Sequence, residues 1–103
     1  MVKVLIKRRF KEGKKKEILS LLNEFRAGAL NMTGYISGVT MTSYDDPFVM
    51  LVIGTWDKME NWNRWKENPA RIAFEKMLEI YQEGPTVYEE YIVGTSFSME
   101  EQG

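Results

Sequence analysis

Residues 55–74 read TWDKMENWNRWKENPARIAF, with three tryptophans inside ten residues and the most apolar run of the chain, FVMLVIGTW, leading into them. Asp57 with Glu60 three residues later forms a capping-box pattern, so a helix is expected to open at about Lys58. Asn68-Pro69 then closes it and starts another, because proline fits the first turn of a helix, where a backbone N–H has no partner to lose. Trp62 and Trp65 are three apart on the first helix, so both rings point the same way. A strand followed by a split helix is the centre of the fold.

Upstream, Val2, Val4 and Ile6 alternate with Lys3 and Lys7, while Leu5 adds an apolar side chain to the second face. A strand apolar on both sides is expected to be covered on both. Glu12-Gly13 makes a turn, and a helix follows to about Leu30 with Ile18, Leu21, Leu22, Phe25 and Ala29 as its stripe. Lys14, Lys15 and Lys16 at its start oppose the helix dipole and read as a solvated end, since GKKKEILS lacks the spaced glycines of a phosphate loop. Gly34 to Tyr44 reads as a strand with Tyr35, Val39 and Met41 on one side and Ile36, Gly38, Thr40 and Tyr44 on the other. Gly38 marks either a bulge or a place where something approaches the backbone closely. Asp45-Asp46-Pro47 is a turn rather than a metal site, and Phe48 to Trp56 returns antiparallel in mid-sheet.

Downstream, Pro69 to Gln82 forms the second long helix, with Ala70, Ala73, Phe74, Met77, Leu78 and Tyr81 as the expected buried stripe. Gly84-Pro85 ends it. Thr86 to Val93 is a last strand whose paired glutamates suit an edge or an interface. The order strand, helix, strand, strand, split helix, strand folds by right-handed crossovers into an α+β, ferredoxin-like split βαβ arrangement. This is a four-stranded antiparallel sheet with helices on one face. Residues 1–94 are expected to form this one domain and residues 95–103 a polar tail. The uncovered sheet face, with Leu5, Val39 and Met41, calls for a second copy placed sheet to sheet, so a homodimer through that face is expected.

Composition narrows the chemistry. The 103 residues carry a net charge of −1, and there is neither Cys nor His. Those absences remove disulfides, thiol nucleophiles, Ser-His-Asp chemistry, the usual zinc sites and histidine-ligated haem. A general base must be Asp, Glu, Lys or Tyr, or belong to the substrate. No positive field favours nucleic acid, and no stretch reaches membrane-spanning length. A cytoplasmic location is expected, with no metal and no cofactor.

A strand ending in Trp56, then DKMENWNRWKENP, an amphipathic helix and a tyrosine-containing last strand resembles the antibiotic biosynthesis monooxygenase family of dimeric α+β barrel proteins. The resemblance spans Val2 to about Val93. It implies a ligand pocket inside each subunit, between helices and sheet, and either oxidation of aromatic or quinol-type molecules without flavin or metal, or haem binding and degradation. For the haem branch the resemblance matches at Trp65. It places the iron-ligating histidine at Glu75 and the pocket asparagine at or near Ile6, and both are departures, since a carboxylate is a poor replacement for imidazole on ferrous haem. The oxygenase branch needs no histidine. For it, Trp65, Asn63, Arg71 and Tyr81 are the expected catalytic residues. Asn63 (or Asn61) would bond a substrate carbonyl, Arg71 would stabilise an enolate, and Tyr81, Tyr35 or Glu75 would relay a proton. Trp62, Phe25, Ile6, Glu75 and Phe74 are the expected substrate contacts. A non-catalytic dimer holding a small aromatic or hydrophobic ligand is the rival reading. The two differ in whether Asn63, Arg71 or Tyr81 points into a closed pocket beside Trp65.

Overall fold

A computed structural model of the chain describes residues 1–95; the expected polar tail lies almost wholly outside them. The elements run β1 (Val2–Arg9), α1 (Lys15–Leu30), β2 (Tyr35–Thr42), β3 (Val49–Trp56), α2 (Met59–Lys66), α3 (Pro69–Glu79) and β4 (Val87–Ile92). All neighbouring strands pair antiparallel in the order β2-β3-β1-β4, which makes β1 and β3 central and β2 and β4 the edges. This is the ferredoxin-like α+β fold.

Register explains which side chains face the helices. Val2 lies opposite Trp56, Val4 opposite Gly54 and Ile6 opposite Val52 on one side, and opposite Ile92, Glu90 and Tyr88 on the other. Side chains at directly opposed positions share a face, so this row forms the helix-covered surface. Val2, Val4, Ile6 and Phe10 of the first strand region are buried, and so is Arg8, which keeps the same alternation. Two apolar clusters result, one around Val4, Trp56, Trp62 and Trp65 and one around Phe10, Ile18 and Leu78. Arg8 sits in sequence between the β1 residues that feed them.

Three local expectations are corrected. The pairing of β2 with β3 shifts between Tyr35 and Ser37, a bulge that puts Tyr35 opposite Trp56 and on the side of Gly38 and Thr40. Tyr35 therefore faces the helices instead of sharing a side with Val39 and Met41. At α2 the N-cap position is Lys58, with no side-chain cap, because the Asp57 carboxylate accepts from Asn61 Nδ2 at 2.7 Å instead of turning back on the helix. In α3 the inward residues are Arg71, Glu75 and Leu78 with Phe74 beside them, whereas Ala70, Ala73 and Met77 are exposed. The inward face is set by an ion pair as well as by apolar side chains. The expected Asn68 cap is present, its side chain accepting from the N–H groups of Ala70 and Arg71.

One glycine holds two elements in register. Gly34 has φ +87°, and a Cβ there would collide with the Asp57 carboxylate and with Asn61, while its carbonyl accepts from the Asp57 N–H at 2.9 Å. Gly34→Ala is therefore expected to cost about 2–4 kcal/mol, combining left-handed backbone strain with a clash that displaces the start of α2. Urea denaturation measures this, and a loss below about 0.5 kcal/mol would mean that the loop relaxes without moving the helix.

Candidate active site

A cavity of about 90 Å³ lies between the helix-facing side of the sheet and the inner sides of α1, α2 and α3. Its sheet wall comes from Val4, Ile6 and Arg8 of β1, Gly38 and Thr40 of β2, and Val52 and Gly54 of β3. Gly38 and Gly54 are directly paired, so two neighbouring positions on the cavity side carry no side chain. Tyr35 and Trp56 lean over this gap. A Cβ on Gly38 would strike the Tyr35 hydroxyl, and one on Gly54 would meet Trp56 Nε1 at 3.5 Å.

The helical wall is aromatic. Trp62 and Trp65 are both buried, as their spacing on α2 implies, and both line the cavity. Trp65 lies against α1 at Gly28, where a Cβ would come within 2.5 Å of the ring. Trp56, Trp62 and Tyr88 follow one another at centroid distances of 6.0 and 6.4 Å. Phe25 of α1 completes the wall, backed by Phe74 at 5.8 Å. Leu22, Arg26 and Thr40 bring α1 and the β2 edge to the rim; Arg26 and Thr40 are exposed, so the mouth lies between those two elements.

Under this aromatic wall lies a buried ion cluster. Glu75 accepts from Arg8 through both carboxylate oxygens, at 2.7 Å from Nη2 and 3.4 Å from Nε, and also from the Thr86 hydroxyl at 2.5 Å. Arg71, one turn before Glu75, has its Nη2 3.8 Å from the same carboxylate and donates from Nη2 to the Tyr88 hydroxyl at 3.0 Å. Its guanidinium carbon stands 5.2, 5.4 and 5.7 Å from the ring centres of Trp62, Tyr88 and Phe25. Contact with ring faces stabilises a cation without neutralising it. Arg71 is 3% exposed, and its Nε has no hydrogen-bond partner among the described residues.

These contacts fix the protonation states. Burial pushes the Glu75 carboxyl up, but the Arg8 hydrogen bonds and charge, the Thr86 hydroxyl and the Arg71 charge outweigh it and hold the group below its ordinary value. Glu75 is a carboxylate with its oxygens occupied, and it does not line the cavity. Burial raises the Tyr88 phenol above its usual value against the opposing pull of Arg71, so it stays protonated.

Of the residues singled out from the sequence, Ile6, Phe25, Tyr35, Trp62, Trp65 and Arg71 meet at the cavity. Phe74 and Glu75 stand behind its wall. Asn63 is exposed on the outer side of α2, while Asn61 is turned inward but engaged by Asp57 and Arg64. Tyr81 packs at the far end beside Phe10, Ile18 and Leu78, because α3 ends at Glu79 and a turn carries Tyr81 away. Asn63 and Tyr81 therefore do not reach the site. Sequence reasoning missed Arg8, although its place in the 2-4-6-8-10 alternation of β1 was visible. It also left out Tyr88, which faces inward at the Ile6 position of β4.

The fold and an aromatic, arginine-bearing cavity define a ferredoxin-like α+β domain with an internal space left between helices and sheet. The chain belongs to the antibiotic biosynthesis monooxygenase family, whose model matches residues 1–77. It is similar to the crystal structure of an antibiotic biosynthesis monooxygenase (TM-score 0.82, 13% identity, covering 92% of this chain and 100% of that one). It is also similar to SnoaB, a cofactor-independent oxygenase from Streptomyces nogalater (TM-score 0.80, 12% identity, 92% and 94% covered). A conserved protein from Methanosarcina mazei Go1 aligns with TM-score 0.81, 16% identity and 87% and 89% covered. At these identities the likeness to solved structures speaks for the fold alone. No curated protein sequence matches the chain significantly. No helix among the described residues is long and apolar enough to cross a membrane.

The ion cluster yields a prediction about stability. A carboxyl whose folded pKa is depressed contributes stability that is fully present above its unfolded value, about 4.3, and is lost as the pH falls through the lower folded value. Glu75→Gln leaves Arg8 and Arg71 buried without a counter-charge and is expected to cost about 3–5 kcal/mol at pH 7. The variant should also lose less stability than the wild type on acidification below pH 4. Denaturant unfolding at pH 7 and pH 3.5 reads both effects; equal acid sensitivity in the two proteins would show that Glu75 is not held ionised by the arginines.

Proposed function

We propose that the protein is a cofactor-independent monooxygenase that oxidises an aromatic or quinol-type small molecule. The observation that carries this reading is Arg71, a buried cation bordering a tryptophan-lined cavity with one donor unused. The sequence left open whether a polar group would reach such a pocket; a wholly apolar cavity would have favoured a passive carrier.

The substrate ring stacks against Trp62 and Trp65 with an acidic oxygen or carbon toward Arg71. No Asp or Glu lines the cavity, so ionisation is driven by the positive field of the guanidiniums and the proton leaves through the mouth to solvent. The resulting carbanion or enolate gives one electron to O₂, and the two radicals recombine as a peroxide anion at a ring carbon that still carries a hydrogen; a proton returning from solvent makes it the hydroperoxide. Loss of water from that intermediate leaves a carbonyl, so one oxygen atom ends in the product and the other in water. A substrate that fills the mouth keeps water from the intermediate and limits side reactions. At about 90 Å³ the space is smaller than the ~150 Å³ that encloses benzene, so one ring edge enters and the rest of the substrate occupies the mouth.

Oxygen uptake by metal-free protein with a panel of quinols and anthrones tests this. Uptake above the spontaneous rate is expected, lowered about 10²-fold in Arg71→Ala, as for loss of a charge-stabilising donor, and reduced in Trp65→Phe. Saturable quenching of tryptophan fluorescence without any uptake would replace the oxygenase with a ligand-binding protein.

The same proposal includes a homodimer. Val39, Met41, Val87 and Tyr91 are each at least 40% exposed on the sheet face opposite the helices, next to Leu5, Leu51 and Ile53. Burying roughly 1,000 Å² of such surface contributes about 25 kcal/mol before association costs, enough for a stable pair. Light scattering is expected to give twice the mass of one chain, and Val39→Glu with Met41→Lys to return it to one; a monomeric wild type would contradict the sheet-to-sheet pairing.

A further inference from the structure

The charged side chains in the cavity wall are all arginines: Arg8, Arg71 and, at the mouth, Arg26. This is unexpected in a chain of net charge −1. Inside, two guanidinium groups face one carboxylate, and Glu75 spends its hydrogen bonds on Arg8 and Thr86. One positive charge is left over in the cluster, and Arg71, 97% buried and 3.8 Å from the shared carboxylate, has its Nε unpaired among the described residues. A buried cation with an unused donor is costly unless something supplies the missing acceptor. A neutral carbonyl would satisfy the hydrogen bond but leave the charge; a monoanion satisfies both. We propose that the cavity is selective for aromatic monoanions, ligands whose ring meets Trp62 and Trp65 and whose single ionised oxygen group is held by Arg71. This deepens the oxygenase reading by naming the charge state in which the substrate binds, and it rests on the same cavity.

Arg26 fits the same account. It is exposed beside the opening, where a positive charge draws anions toward the entrance, an effect that falls with ionic strength. The two sources of an aromatic monoanion, an aryl carboxylate and an aryl oxyanion, present the same chemistry to Arg71 and are separated by experiment.

The test is binding alone, without turnover, on the full-length wild type, Arg71→Met and Arg71→Lys, followed by tryptophan fluorescence. Arg71→Met leaves Arg8 and Glu75 as a balanced pair, and circular dichroism checks that each variant is folded. The probes are benzoate against benzamide, and 4-nitrophenol against 4-nitroanisole, with the nitrophenolate band reporting ionisation in the cavity. Each anion is expected to bind at least tenfold more tightly than its neutral partner, and bound 4-nitrophenol to ionise at lower pH than in water. The preference should fall below threefold in Arg71→Met and survive in part in Arg71→Lys. A preference for benzoate without one for nitrophenolate would identify the carboxylate as the group recognised, and the reverse would identify the oxyanion. Equal binding of charged and neutral probes, or no saturable binding of either anion, would overturn the proposal. Anion preference without oxygen uptake would refute only the oxygenase, and oxygen uptake without anion preference would refute only this inference.

Discussion

One carboxylate set between two buried guanidiniums is the constraint on which the rest of the structure depends. Arg8 belongs to a central strand and Glu75 to α3, so their two-point contact fixes the helix to the middle of the sheet. The Thr86 hydroxyl, at the approach to β4, bonds the same carboxylate, and Gln82 holds Thr86 in turn at 3.0 Å. A buried ion pair of this kind adds little net stability over a well-packed apolar alternative. Its value lies in specificity. It turns α3 so that Arg71, one turn earlier, is delivered to the aromatic wall, and it commits the hydrogen bonds of Glu75 to Arg8 and Thr86, leaving Arg71 only a longer charge contact at 3.8 Å.

The cavity follows from what surrounds that cluster. The paired Gly38 and Gly54 leave room on the sheet that Tyr35 and Trp56 take up, which brings both rings into the cavity wall. Gly28 lets Trp65 sit flush against α1, which keeps the large ring at the wall. In α1 an alanine would normally be the better helix former by about 1 kcal/mol; here the close approach of the indole decides the residue. Trp62 is tied outward by its Nε1, which donates to Glu90 of β4, and Lys66 also reaches Glu90 at 3.4 Å. Glu90 of this edge strand thus helps to hold the aromatic wall.

Element order and most of the strand faces were legible in the sequence because they rest on short-range periodicity and on strong punctuation such as Asn68-Pro69. The inward direction of Trp62 and Trp65 was legible for the same reason. The face of α3 was misread because an apolar stripe was sought where the buried positions are Arg71 and Glu75, and polarity alone cannot distinguish a solvated arginine from a paired one. Arg8 was hidden by the same assumption, despite its register with Val2, Val4 and Ile6. Tyr35 was placed on the wrong side because a single bulge inverts every side chain beyond it. Asn63 and Tyr81 were chosen by chemical type, whereas position is decided by the exact helical angle and by where α3 stops.

The central claim is that Glu75 is hydrogen-bonded to Arg8 and leaves Arg71 at the cavity wall with positive charge to spare. The measurement that tests it most directly is a correlation spectrum of the arginine Nε–Hε groups of ¹⁵N-labelled protein, recorded while benzoate is added. The account predicts that the Arg71 signal moves with saturation while the Arg8 signal, already bonded to Glu75, stays in place. An Arg71 signal that does not move while tryptophan fluorescence reports a filled site would contradict it.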